Sequence, residues 1–228
     1  MAVTAAQAAR TGGGELPVRL YQAAGTEPVA TLVRAHGAGA PQAHPFMVQA
    51  AEQLASRPLA VVTFDFPYKA EGRKLPDKAP VLEQAYLDVI AWVRQREGLP
   101  RSLAIGGKSM GGRMASHVAA HHAAAAGRLC GLVFLGYPLH PPDKPAQRRD
   151  AHLPLIQAPM LFVQGSRDSF GTPDELRPVL ASLAAEATLH VVEGGDHGFA
   201  VSKRTGAVAA DVLDAVWDTV AGWVRSRA

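Results

Sequence analysis

The feature that most restricts the fold is a set of short runs carrying apolar residues at consecutive rather than alternate positions. "LAVVTFDF" (Leu59 to Phe66), "GLVFLGYP" (Gly131 to Pro138) and "MLFVQG" (Met160 to Gly165) hold a single charged residue between them, Asp65. A strand with one face in water alternates apolar and polar residues, whereas a strand apolar on both faces must be covered on both. Helical patterns separate these runs. Pro45 stands at a first helical position and opens a helix to about Ser56, and from Val81 onward Leu82, Tyr86, Val89 and Val93 form a stripe with Trp92 beside it. Further strands are expected over Val18 to Ala23, Val29 to His36 and Thr188 to Gly194. Further helices are expected over Pro173 to about Ala185 and from about Thr205. Strands alternating with helices predict an α/β fold: a doubly wound, mostly parallel sheet with helices on both faces.

The chain of 228 residues fits one such domain over residues 15–228, preceded by an alanine- and glycine-rich tail, residues 1–14, expected to be flexible. The connection from Leu139 to Pro159 is too short and proline-rich for a helical cap, so no separate cap domain is expected. The net charge of +3 comes from scattered basic residues with no stripe beyond Arg148-Arg149, which argues against nucleic acid. Cys130 is the only cysteine, so disulfides within the chain and thiolate metal sites are excluded. No signal peptide and no apolar run of about 18 residues is visible, which points away from membranes and toward a cytoplasmic protein, monomeric or homodimeric.

In doubly wound sheets ligands bind beyond the carboxyl ends of the strands, so the residues after each strand carry the functional information. One of these ends is "SLAIGGKSMGGR" (Ser102 to Arg113), which reads two ways. Gly107-Lys108-Ser109 could close a phosphate-binding loop, but that loop needs a glycine where Ser102 stands, and Leu103 to Ile105 read as buried strand. Gly107-Lys108-Ser109-Met110-Gly111 is also G-x-S-x-G, a strand–turn–helix elbow that presents a nucleophilic serine. The helix-like "MASHVAAHHAAAA" follows it, and Gly106, Gly107, Gly111 and Gly112 leave room for the turn. The elbow fits its context.

A serine hydroxyl needs a base within reach, itself oriented by a third group. Asp168 follows the strand at 160–164 and His197 follows the last strand, in the order Ser…Asp…His. Asp143 and Asp150 compete for the acid role from the proline-rich connection. Among nine histidines only His197 follows the last strand in a glycine-flanked loop, while His117, His121 and His122 fall in a helix. Asp196 reads as a loop-stabilising neighbour, and His36 likewise. Oxyanion donors are expected from the backbone N–H groups of Met110 and Ala38. Tyr68, Tyr137, Leu139, Phe170 and Phe199 are expected to floor a shallow apolar site suited to small acyl or aryl esters. No cofactor and no metal is called for, since nucleophile, base and oxyanion donors are all protein groups.

Together "HGAGA…HPFM", "FDFPY", "GGKSMGGR", "GYPLHPP", "FVQGSRD" and "GGDHGF" resemble the dienelactone-hydrolase-like branch of the α/β-hydrolases. That branch includes the hydrolase-like domains of a testis-expressed protein and of a chromatin NSL-complex subunit. The likeness runs from about Leu16 to the C-terminus. It implies a serine hydrolase of the carboxylesterase type acting on small-molecule ester, or thioester, bonds. Dienelactone hydrolases carry cysteine as nucleophile, and this chain has Ser109 in that place. Because the branch also contains interaction subunits, the resemblance leaves a non-catalytic binding protein as the alternative.

Overall fold

The computed structural model describes residues 1–202 and 208–228. Eight strands form one sheet: β1 (Ala2–Ala9), β2 (Glu15–Gln22), β3 (Ala30–Ala35), β4 (Leu59–Phe64), β5 (Leu103–Lys108), β6 (Gly131–Leu135), β7 (Met160–Gly165) and β8 (Ala187–Val192). Their spatial order is β1-β2-β4-β3-β5-β6-β7-β8. The first two strands pair antiparallel with each other, and β2 pairs antiparallel with β4; every later pairing is parallel.

The helices are α1 (Pro45–Ala55), α2 (Pro67–Ala70), α3 (Ala79–Gln95), α4 (Met110–His121), α5 (Ala123–Ala126), α6 (Pro173–Ala181) and α7 (Ala209–Arg225). The start of the last helix expected at about Thr205 lies outside the described residues. The apolar runs explain the layering. Val33, Ile105, Leu132, Phe134 and Phe162 pack under α3 and α4. Their neighbours Leu32, Ala104, Val133, Leu161 and Val163 pack on the other face, with Trp217 and Val220 of α7 and Leu54 of α1. Alternate residues of one strand thus enter two separate cores, which is why no strand in the middle of the sheet shows polar alternation.

The expectation of a flexible tail over residues 1–14 is corrected: residues 2–9 are an edge strand. Ala2 to Ala9 pair in register with Gln22 to Glu15. Gly12, Gly13 and Gly14 take positive φ in the turn between the two strands, which closes a hairpin. The backbone N–H and hydroxyl of Thr11 both donate to the Asp88 carboxylate, at 2.9 and 2.6 Å, tying the turn to α3.

The connection after β6 contains only a single 3-10 turn, Leu153–Leu155. Among the described residues no helical cap roofs the carboxyl ends of the parallel strands.

Candidate active site

Ser109 sits between β5 and α4 with φ 51° and ψ −117°, a backbone conformation that costs a non-glycine residue about 1–3 kcal/mol. Close approach of the turn to β3 enforces the flanking glycines. A Cβ on Gly107 or on Gly111 would lie 2.4 Å from the carbonyl oxygen of Ala35. The Ser109 N–H donates to Leu135 O at 3.1 Å and its carbonyl accepts from Arg113 N at 3.0 Å. Strand β6 and the first turn of α4 thus hold the strained residue.

Asp168, fully buried after β7, faces His197 after β8. Nδ1 of His197 lies 2.8 Å from Oδ2 and 3.0 Å from Oδ1 of Asp168. Asp168 also accepts from Phe170 N and from Nε2 of Gln164, both at 2.8 Å. A carboxylate fixed by these donors holds the ring proton on Nδ1 and leaves Nε2 as the basic nitrogen. Phe170 stacks on the imidazole at 4.2 Å between ring centroids. Asp168 does not cap α6; Thr172 caps that helix in a reciprocal pair with Glu175. Of the other two aspartates, Asp150 pairs with Arg148 at 2.5 Å and Asp143 is exposed. Asp196 stabilises the histidine loop, its Oδ1 accepting from Gly198 N at 2.8 Å and Ala200 N at 2.9 Å.

On the other side of Ser109 the loop after β3 is held by His36 and Tyr68. Phe66 N donates to Nε2 of His36, so Nδ1 carries the proton given to Gly37 O at 2.7 Å. Burial lowers the pKa of this imidazole and keeps it neutral. The Tyr68 hydroxyl donates to Ala38 O at 2.8 Å. Ala38, Met110, Ser109 and His197 all line one cavity of about 640 Å³, with Phe46, Met47, Pro138 and Phe170 as apolar wall. Met110 is the first residue of α4, where backbone N–H groups lack helical partners and the helix dipole favours negative charge.

The sequence matches the family described as "Alpha/beta hydrolase domain" over residues 28–225. The chain is an α/β-hydrolase. Similar solved structures include a serine hydrolase without a lid from Xanthomonas campestris, at 20% identity and TM-score 0.72, covering 95% of this chain and 92% of that one. A dienelactone hydrolase from Anabaena variabilis matches at 22% identity and TM-score 0.72, over 97% and 96% of the two chains. An esterase from Pyrococcus furiosus matches at 15% identity and TM-score 0.76, over 99% and 91%. At these identities the structural likeness establishes the fold.

The cavity of this α/β-hydrolase corrects the expected substrate floor. Of the five residues named for it, only Phe170 lines the cavity. Tyr68, Tyr137, Leu139 and Phe199 are buried. Tyr137 and Leu139 turn inward to the core around Phe134 and Phe162, and Phe199 joins Phe46 over α7. Tyr68 and Tyr137 act from behind the wall, the latter donating to Arg149 O at 2.7 Å. Sequence reasoning missed Phe46 and Met47 of α1, Arg113 of α4 and Arg149, all on the cavity wall, and Gln164 behind Asp168. Only Gln164 leaves a sequence signal, a polar residue inside an apolar strand. Among the described residues the charged groups lining the cavity are Lys108, Arg113 and Arg149, with no Asp or Glu. Burial and the neighbouring Arg113 lower the pKa of Arg149. Among the described residues no helix is long and apolar enough to cross a membrane, and no group of three or more His, Cys, Asp or Glu is placed to hold a metal ion.

Proposed function

We propose that this α/β-hydrolase is a serine esterase that cleaves small acyl or aryl esters through an acyl-enzyme on Ser109. The observation that carries the reading is the strained Ser109 elbow opening into the same cavity as a histidine paired with a buried aspartate. In the first half-reaction Nε2 of His197 takes the Ser109 proton as Oγ attacks the ester carbonyl. Asp168 stabilises the imidazolium that forms. The N–H groups of Met110 and Ala38 receive the oxyanion, and the imidazolium passes its proton to the departing alcohol. Water, activated by the same histidine, then releases the acid and regenerates Ser109.

Two features bear on the substrate. The uncapped strand ends support small acyl groups, since little apolar wall is available. Each buried methylene adds about 0.8 kcal/mol, roughly fourfold in kcat/KM, only while contact lasts. The guanidinium groups of Arg113 and Arg149 on the wall favour esters that carry an acidic group of their own. A nitrophenyl ester series tests both. The expected result is a maximum between acetyl and hexanoyl with decline by dodecanoyl, and a hydrogen succinate ester cleaved faster than the butyrate. A profile still rising at dodecanoyl, or no turnover of any member, contradicts the reading.

A further inference from the structure

The residue before the nucleophile is a part-buried lysine that the reaction steps above do not use. We infer that Lys108 is a positioning residue: its ammonium clamps the His197 loop onto the strand that carries Ser109. The inference rests on the serine esterase reading for its kinetic consequence, and on geometry for its substance.

Lys108 closes β5, so its backbone is fixed beside Ser109, while its Nζ donates to the carbonyl oxygen of His197 at 2.5 Å. One side chain thereby links the two loops whose separation decides whether Nε2 of His197 can reach Ser109 Oγ. The surroundings are shaped around this link. Gly136, at the end of β6, has φ 65°, and a Cβ there would lie 2.8 Å from Nζ, 3.1 Å from His197 O and 3.2 Å from His197 Nδ1. Phe199 of the same loop presents its ring 5.6 Å from Nζ. The acids whose charge acts on the ammonium are Asp168, paired with His197 Nδ1, and Asp196, which precedes His197 in the loop; the His197 ring belongs to the residue whose carbonyl the ammonium holds.

The placement is costly to the fold. Burial pushes the lysine pKa down to about 8. A lysine depressed in the folded state loses stability on ionising: the cost is absent above the unfolded pKa and fully present below the folded one. At neutral pH the ammonium therefore works against folding, as expected of a group kept for geometry at an active site.

The test compares wild type with Lys108→Met, which keeps the bulk and removes the donor and charge. Expected are a fall in kcat of at least about 30-fold with KM within threefold, a melting temperature not lowered, and displaced or broadened His197 ring signals in NMR spectra. As rescue, Lys108→Cys in a Cys130→Ala background, aminoethylated in denaturant and refolded, restores a lysine-like amine and should recover activity to within about fivefold. Wild type carried through the same cycle is the control. Lys108→Met with kcat within twofold of wild type overturns the inference. So does a variant that fails to fold, since removing a group that only positions should not cost the fold; unchanged His197 signals overturn it too. The ring signals need no turnover, so they separate this inference from the esterase reading, which fails instead if wild type does not react with a fluorophosphonate.

Discussion

Two regions of this α/β-hydrolase hold a serine, a histidine and a carboxylate, and their differences are the reason we propose only one of them as reactive. At the carboxyl ends of β5, β7 and β8 stand Ser109, Asp168 and His197. On the flank, between α3, α4 and the connection before β7, stand Ser116, His152, His117 and Glu83. Ser116 Oγ lies 2.7 Å from Nε2 of His152, and His117 Nδ1 lies 2.8 Å from Glu83. The His117 and His152 rings are 4.2 Å apart. Yet Ser116 gives its proton to Arg113 O at 2.7 Å, so its oxygen accepts from His152 rather than donating to it. It lies inside a helix, fully buried, with no strained turn to expose it. His152 is a packing group: burial, then the charges of His117, His121 and Arg113, push its pKa down to about 3. Both regions hold serine, histidine and a carboxylate; the strained elbow and the open cavity belong to the Ser109 region.

The largest effect should separate the two serines. Ser109→Ala is expected to lower kcat on p-nitrophenyl acetate by about 10⁴ or more with the fold intact, and Ser116→Ala to stay within about threefold. More than a tenth of wild-type activity remaining in Ser109→Ala would break the distinction.

Next come the acids. Asp168→Asn should cost several orders of magnitude, because an amide cannot hold the imidazole in its productive tautomer. Glu83→Gln, Asp143→Asn and Asp150→Asn should change kcat little. A larger loss from any of these three than from Asp168→Asn would move the orienting role elsewhere.

The smallest effect concerns the flank and reads stability. Because His152 stays neutral in the fold, the unfolded chain takes up its proton first, and stability falls as pH drops from about 6.5 toward 3. Between pH 7 and 5 this should amount to about 1 kcal/mol after screening, or a few degrees in Tm. His152→Gln should flatten that dependence, as followed by thermal unfolding at several pH values. An unchanged slope would mean that the ring is not the group responsible.

Much of the fold was legible because burial on both faces of a parallel strand leaves an unbroken apolar run, as at Leu59–Phe64 and Met160–Gly165. Strand β1 was not, since its small residues are mostly exposed along a sheet edge and carry no hydrophobic signature; only the three glycines of its turn hint at a hairpin. Candidate site residues could be gathered from strand ends, because parallel strands bring those ends to one edge. The cavity wall could not. Whether an aromatic at a strand end faces the cavity, like Phe170, or the core, like Tyr137, depends on side-chain direction set by neighbours far away in sequence. Arg113 and Arg149 reach the wall from a helix and an irregular segment for the same reason.

If Ser109 is the activated nucleophile we propose, fluorophosphonate labelling followed by mass mapping of the modified peptide will find it. One adduct per chain is expected, on Ser109, blocked by Ser109→Ala and slowed strongly by Asp168→Asn. Failure of the wild type to label, or an adduct on Ser116 or any other residue, would contradict that proposal.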